Sequence, residues 1–151
     1  MQKKIYQIDA NNGTVLSTIE SPSNYPEALA WDGHSLWLAD GQENEIMKID
    51  LNDGTVVKKF NGPARSVNGL SFDGKYLWCS DRLMNEIYMI DPESGEVIII
   101  IDAPGPYIRG LACDGTFIWT VDFQNDSIYQ IVRCDEEKFH INNARKARIT
   151  F

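Results

Sequence analysis

Short apolar runs, separated by turn-forming residues, recur along the chain without a sustained helical period. One set occupies residues 68–72, 75–80, 86–90 and 96–101. Runs of this kind, rich in Ile, Val and aromatic residues, are typical of β-strands. They are separated by turn sequences such as Asp73-Gly74, where both residues tolerate a positive φ. The pattern predicts four short antiparallel strands in this part of the chain and very little helix.

The same arrangement repeats along the chain at a constant interval of 41 residues. The repeat has no insertion, so many positions stay in phase, and chance is a poor explanation for it. Positions of identical residue type in every full unit include Asp32, Asp73 and Asp114, Gly33, Gly74 and Gly115, Trp37, Trp78 and Trp119, and Asp40, Asp81 and Asp122.

Four antiparallel strands in about 40 residues is the size of one β-propeller blade. The pattern Gly-Leu-x-x-Asp-Gly-x-x-Leu-Trp-x-x-Asp begins at Gly69, and x-Ile-Tyr-x-Ile-Asp ends at Asp91. These motifs resemble the blades of the NHL, YncE-like and gluconolactonase-like propellers, over residues 3 to about 133. The resemblance implies an all-β fold of four-stranded blades. It does not specify an activity, because these families include scaffolds, binding modules, lactonases and lyases.

The repeat divides residues 1–151 into a single, partial propeller domain of about 3.7 units. We expect a half blade at 3–22, units at 23–63, 64–104 and 105–145, and an irregular tail at 143–151. A closed propeller has at least four blades. Either further chains close the ring, or the chain is a fragment of a longer protein. We expect closure by a homo-oligomer, specifically a dimer, because open blade faces rich in Ile and Val favour association.

The charge of the chain limits which partners it is expected to bind, and its cysteine content indicates the cellular compartment. Lys and Arg number 14 against 22 Asp and Glu, so the formal net charge is −8, which disfavours binding to nucleic acids and anionic membranes. No apolar stretch approaches the roughly 18 residues of a membrane span, and the N-terminus does not resemble a signal peptide. The three cysteines have no metal-pair spacing. They predict reduced thiols in a cytoplasmic protein.

Residues that are constant between units are predicted to be structural, whereas variable ones mark function. Asp40, Asp81 and Asp122 are expected to accept hydrogen bonds from loop amides, and Asp9, Asp50 and Asp91 to form turns. The residues that differ between units lie mainly on one rim of the propeller. This rim carries the loops between the second and third strands of each blade and the connections between successive blades; we call it the variable rim. The residues predicted to bind a protein or a small polar ligand, there and at the mouth of the central channel, are Tyr25, Glu27, Trp31, Asn68, Arg82, Tyr107, Arg109 and Phe123.

We expect a non-catalytic binding or interaction module with no cofactor and no catalytic residue. An alternative is a gluconolactonase-type hydrolase, since Glu27 and Asn68 are similar to metal ligands of that family and would hold a divalent cation such as calcium. A further alternative is the propeller portion of a longer enzyme. Glu27 and Arg109 could instead pair across the channel as ring-lining charges. His34 and His140, the only histidines, form no catalytic triad with a serine and an aspartate.

Overall fold

The computed structural model describes residues 3–132 and 147–149, and this part of the chain consists of strands and turns with no helix. It accordingly contains no helix long and apolar enough to cross a membrane. The strands within the described residues are β1 Lys4–Ile8, β2 Val15–Glu20, β3 Pro26–Trp31, β4 Leu36–Asp40, β5 Glu45–Ile49, β6 Val56–Asn61, β7 Val67–Phe72, β8 Leu77–Asp81, β9 Glu86–Ile90, β10 Val97–Asp102, β11 Ile108–Cys113, β12 Phe117–Asp122, β13 Ser127–Val132 and β14 Ala147–Ile149.

The strands form sheets that follow the 41-residue units. Strands β3 to β6 make one four-stranded antiparallel sheet, and β7 to β10 make the next. The first unit contributes the pair β1–β2, and the last contributes β11, β12 and β13. The prediction of an all-β fold built from four-stranded antiparallel blades is therefore confirmed.

One tight turn shows how the sequence specifies the repeated unit. Asp73 accepts hydrogen bonds at Oδ1 from the amides of Lys75 (2.9 Å) and Tyr76 (2.8 Å), and at Oδ2 from Trp78 Nε1 (2.8 Å). Gly74 has a φ of 99°, which a residue with a side chain rarely adopts. The aspartate thus fixes both the turn and the tryptophan ring. The same indole bond joins Trp37 to Asp32 and Trp119 to Asp114.

The core lies between neighbouring blades. Successive side chains of a strand point to opposite faces, so a middle blade packs on both sides. In β8, Leu77 and Cys79 face the preceding blade, whereas Trp78 faces the following one. In β10, Ile100 packs toward the preceding blade and Ile99 toward the following blade. This explains why the continuous apolar run of β10 lacks the alternation of a half-exposed strand.

The innermost strands β7 and β11 approach each other closely at Gly69. A Cβ at this position would collide with Ser80 Oγ and would lie 3.1 Å from the backbone nitrogen of Leu111. Only glycine leaves room for the two blades at this distance. Gly110, on the facing strand, has no such neighbour, because a Cβ there would meet nothing within 4 Å.

The stretch 143–151, predicted to be an irregular tail, contains a short strand. β14 pairs in parallel with β10, with Ile100 opposite Arg148, and adds a fifth strand to that sheet. A local turn pattern could not indicate this pairing, because β14 lies far along the chain from β10. Cys134 and His140 lie outside the described residues.

The two ends of the described fold are open. Strand β9 of the second full blade is buried throughout, whereas β1 and β2 are mostly exposed. Tyr6, Ile8, Val15 and Leu16 are each more than half exposed at one end. At the other end, 72% of Ile128 is exposed.

A groove of about 360 Å³ separates the pair β1–β2 from the first full blade. Its apolar lining includes Tyr6, Ile19, Leu29, Trp31 and Leu36.

Candidate functional site

The aspartates that end each second strand hold the loops of the variable rim. Asp81 accepts from the amides of Arg65 (2.7 Å) and Ser66 (2.6 Å) with one oxygen, and from those of Leu83 (2.8 Å) and Met84 (2.9 Å) with the other. The carboxylate of Asp81 therefore joins two segments of one blade: the chain that leads into its first strand, and the loop between its second and third strands. Asp122 likewise accepts from amides of both segments. Asp40 accepts from the amides of Gln42 and Glu43 with one oxygen and from the hydroxyl of Ser23 with the other.

The predicted role of these aspartates as amide acceptors is confirmed. Burial raises the pKa of Asp122, but hydrogen bonds from the amides of Tyr107, Asn125 and Gln124 outweigh it and hold the pKa below the usual value. A carboxylate stabilised in its charged form is a poor proton donor or acceptor near neutral pH. The turn aspartates also behave as predicted: the amides of Asn11, Asn52 and Glu93 donate to Asp9, Asp50 and Asp91.

The position predicted to line the channel mouth is the second residue of the innermost strand, and it differs in each unit. Glu27 is exposed and lies over Gly41, where a Cβ would collide with its side chain. Asn68 is buried, donates from Nδ2 to the carbonyl of Ile108 (2.9 Å), and accepts at Oδ1 from Ser80 Oγ (3.0 Å). The amide of Asn68 therefore joins two blades.

Glu27 and Asn68 are the residues predicted to hold a divalent cation. No contact joins them in the part of the chain that the structure describes, and the Asn68 amide is engaged by Ile108 and Ser80. Within residues 3–132 and 147–149 there is also no group of three or more His, Cys, Asp or Glu arranged to hold a metal ion. The geometry does not supply a ligand set, and the cation site stays a prediction.

Three of the predicted residues, all from the last unit, come together as an arginine–aromatic cluster of Tyr107, Arg109 and Phe123. The guanidinium carbon of Arg109 lies 5.2 Å from the centre of the Tyr107 ring and 5.8 Å from that of Phe123. The two rings are 6.0 Å apart and tilted by 56°. Both distances are within the range of cation–π attraction. The exposed fraction of Phe123 is 71%, so the cluster is open to solvent.

Backbone bonds explain why these three residues meet. The amide of Phe123 donates to the carbonyl of Tyr107 (3.0 Å), and the amide of Tyr107 donates to Asp122 (2.7 Å). The crossover into the last blade is thereby tied to its second-to-third-strand loop. The equivalent bond in the first full blade joins the Gly41 amide to the Tyr25 carbonyl (3.0 Å), but there the aromatic partner is replaced by glycine.

The backbone beneath Arg109 is fixed by buried polar side chains. Besides Asn68, Thr120 Oγ1 donates to the carbonyl of Gly110 (3.0 Å), and Ser80 Oγ lies 3.4 Å from that of Arg109. Sequence reasoning missed Ser80 and Thr120. The available signal was a hydroxyl at a buried position, since the equivalents of Thr120 in the other units are Leu38 and Cys79.

Arg109 takes part in no ion pair within residues 3–132 and 147–149. The ion pairs found there join Lys48 to Asp32, Lys58 to Glu93 and Lys59 to Glu45. No contact joins Glu27 to Arg109 in the described residues, so the structure does not show the ion pair that was the alternative for these two side chains. The guanidinium of Arg109 thus has two aromatic neighbours, and the residue is exposed.

The other predicted site residues lie apart from this cluster. Tyr25 is half exposed on the variable rim of the first full blade. The Nε atom of Arg82 is buried and has no hydrogen-bond partner among the described residues. Trp31, predicted on the same rim, lies instead in the groove beside β1 and β2. The reason is its position at the end of β3, next to the Asp32-Gly33 turn of the opposite rim.

The thiols carry no sign of a nucleophile in the described structure. Cys79 is fully buried, and burial, together with the nearby charge of Asp81, raises the pKa of its thiol far above the usual value. Cys113 is partly buried at the end of β11, and its sulfur accepts from the amide of Gly115 at 3.3 Å. Neither cysteine lies on the variable rim.

Comparison with known proteins finds no matching family model and no matching curated protein. Similar solved structures include Myxococcus xanthus glutaminyl cyclase, with a TM-score of 0.70 and 15% identity over 85% of this chain and 57% of that one. Virginiamycin B lyase from Staphylococcus aureus gives 0.55 and 20% over 87% and 50%. The β-propeller domain of Myceliophteria thermophila Cps50 (Swd1) gives 0.63 and 15% over 87% and 47%.

These similarities establish the fold alone. The chain is similar to β-propeller proteins, and its repeated four-stranded sheets are propeller blades. It spans about half the length of the structures that it matches. Their names include a cyclase and a lyase as well as a propeller domain without a named reaction, so the fold does not select between binding and catalysis.

Proposed function

We propose that this chain is a non-catalytic β-propeller module that binds its ligand or partner through the variable rim, with the arginine–aromatic cluster at the centre of the contact. The supporting observation is an exposed phenylalanine and a tyrosine arranged around an arginine that has no acidic partner in the described residues. Tyrosine and arginine are enriched where binding energy concentrates. Aromatic rings supply large contact area at low cost in conformational entropy.

Comparison between units separates this site from the scaffold. The slots of Arg109 and Phe123 hold Glu27 and Gly41 in one unit, and Asn68 and Arg82 in the next. Structural positions such as the Asp73–Trp78 pair are instead kept in every unit. A feature built once on a repeated scaffold is a good candidate for a binding site, because the fold does not require it.

The rival function is a gluconolactonase-type hydrolase with a cation held by Glu27 and Asn68, or the propeller portion of a longer enzyme. The observed contacts of Asn68 do not favour the first, since its amide bridges two blades. On the motif beginning at Gly69, we assign the blades to the NHL or YncE-like type. We place the protein in the cytoplasm, where thiols such as Cys79 and Cys113 stay reduced.

NMR mapping with a set of small probes tests the proposed function. The set contains acetate, benzoate, phenol, N-acetylarginine amide and gluconolactone. We expect the probes that bind to shift signals at Tyr107, Arg109 and Phe123, and Phe123→Ala to abolish those shifts. Leu83→Ala, which removes another exposed apolar side chain of the same rim, is the matched control. Binding confined to other surfaces would overturn the proposal.

The same protein is assayed for catalysis. Calcium-dependent hydrolysis of gluconolactone, together with thermal stabilisation by calcium, would support the hydrolase instead if both effects disappear in Glu27→Ala. Glu43→Ala removes an exposed carboxylate of the same rim and serves as the control. Under the binding proposal we expect no turnover and no calcium-dependent shift in the melting temperature.

We further propose that a second copy of this chain covers the open ends and contributes to closure of the ring. The support is the pair of apolar ends: Tyr6, Ile8 and Leu16 at one, Val121 and Ile128 at the other, all exposed. The apolar groove beside β1 and β2 lies at the first of these ends. Exposed apolar patches on soluble proteins are characteristic of interfaces.

A further inference from the structure

We infer that the arginine–aromatic cluster recognises a small organic carboxylate that carries an apolar or aromatic group, an inference that rests on the proposed rim-binding function. The carboxylate would bind the N–H groups of Arg109, which no acidic side chain in the described residues occupies, and the apolar group would pack against Phe123. The inference concerns the chemistry of the ligand, which the fold and the structural comparisons leave open.

The geometry of Arg109 determines which of its surfaces a ligand can reach. Tyr107 and Phe123 lie within cation–π distance of the guanidinium and contribute to holding its plane. Guanidinium groups present parallel N–H donors along their edges, and these match the two oxygens of a carboxylate. No acidic side chain in residues 3–132 and 147–149 occupies those donors. The nearby Asp122 is engaged by backbone amides.

The support beneath Arg109 makes the site preorganised. Asn68 binds the carbonyl of Ile108, and Thr120 binds that of Gly110, so the residues on both sides of Arg109 are anchored by side chains. The start of β11 thus has little freedom to move when a ligand binds. A donor group that is already in position loses less entropy on binding.

Charge and surface character favour a single carboxylate over other anions. The chain carries a formal net charge of −8, which opposes the approach of polyanions. Free phosphate has no apolar part to cover the exposed ring of Phe123. A ligand that combines one carboxylate with an apolar group uses both the charge of Arg109 and the adjacent ring surface.

Titrations of the full chain by NMR test this inference with four probes. N-acetylphenylalanine has the carboxylate and the ring, N-acetylphenylalanine amide lacks the negative charge, acetate lacks the ring, and inorganic phosphate has a different geometry. We expect N-acetylphenylalanine to bind the cluster about tenfold or more tightly than each of the other three. Its affinity should fall as salt is raised, because the site is exposed.

Variants separate recognition by the fork of Arg109 from simple charge attraction. Arg109→Ala should abolish binding of N-acetylphenylalanine. Arg109→Lys, which keeps the charge, should retain only a small part of the affinity, because lysine cannot make the bidentate contact. Arg65→Ala removes an exposed arginine from another crossover of the rim and should leave the affinity unchanged.

The outcomes distinguish this inference from the proposed function. If the amide binds the cluster as tightly as the acid, or if Arg109→Lys binds like the wild type, recognition of a carboxylate is overturned while a rim-binding module stands. If phosphate binds best, the site selects a different anion and the inference also fails. If none of the probes used in either experiment binds the rim, both proposals fail.

Discussion

The side-chain amide of Asn68 donates a hydrogen bond of 2.9 Å to the carbonyl of Ile108, which lies in the next blade and 40 residues along the chain. The same side chain accepts a bond from Ser80 within its own blade. Asn68 thus adds a polar link between the innermost strands of two sheets that also share apolar contacts. Its removal would leave buried polar groups on both blades without a partner.

Asn68→Ala is therefore expected to lower the free energy of unfolding by about 2 kcal/mol. The reason is that the carbonyl of Ile108 stays buried without its donor. Urea unfolding followed by tryptophan fluorescence measures the change. Asn61→Ala, at an exposed position, should change it by less than about 0.5 kcal/mol. Equal effects of the two substitutions would contradict the structural role of Asn68.

Gly69→Ala is expected to destabilise the fold by about 1–3 kcal/mol, because the added Cβ would collide with Ser80 Oγ and crowd the backbone of Leu111. Gly110→Ala is the matched control, since a Cβ there meets nothing within 4 Å and its backbone is not in the left-handed region. Chemical denaturation compares the two variants with the wild type. The close approach of β7 and β11 would be disproved if Gly69→Ala were as stable as Gly110→Ala.

The stability of the protein should depend on the ionisation of Asp32. Burial raises its pKa, but hydrogen bonds from the amides of Ser35 and His34, with further bonds from Trp37 and Lys48, bring it from 3.8 to about 2. A folded-state pKa below the unfolded one stabilises the fold above the unfolded pKa. This contribution is about 2 kcal/mol at neutral pH and is lost as the pH falls from about 4 toward 2.

The comparison of Asp32→Asn with the wild type measures this contribution. The difference in unfolding free energy should be largest at pH 6 and should fall to about half at pH 3. Glu43→Gln makes the same change of charge at an exposed position and should show no such dependence. A deficit of Asp32→Asn that is the same at both values of pH would rule out an ionic origin.

The exposed ends predict association of the chain. The mass measured by light scattering during size-exclusion chromatography should exceed the monomer value of 17.1 kDa. Ile128→Lys places a charge on the open face of the last sheet and should shift the population toward the monomer. Thr116→Lys, in an exposed turn, is the control and should not. A wild-type monomer that persists at high protein concentration would exclude closure by a second copy.

Much of the fold could be predicted from the sequence, because the strands are bounded by local signals. The Asp32-Gly33 type of turn and its tryptophan five residues after the aspartate are set by bonds within one hairpin. Asp81 was predicted as an amide acceptor for the same reason, since two of its bonds come from amides two and three residues further along the chain. Such contacts repeat whenever the local sequence repeats.

The candidate site was predicted less well, because its contacts cross between segments. Tyr107, Arg109 and Phe123 were identified from their variable positions, but no local pattern indicated that their side chains would meet. Trp31 was expected on the wrong rim. Ser80 and Thr120 were not identified at all, since their hydroxyl groups find their partners only when strand β11 lies beside them.

The sequence by itself determined the 41-residue repeat, the four-stranded blades and their turns, because hydrophobic period and turn chemistry act over a few residues. Only the tertiary structure decided which variable residues share a site. In the folded chain Arg109 lies against two aromatic rings, and Asn68 forms a hydrogen bond between two blades. Strand β14 lies beside β10. These outcomes depend on how sheets stack and how close their inner strands approach, and residues distant along the chain set both.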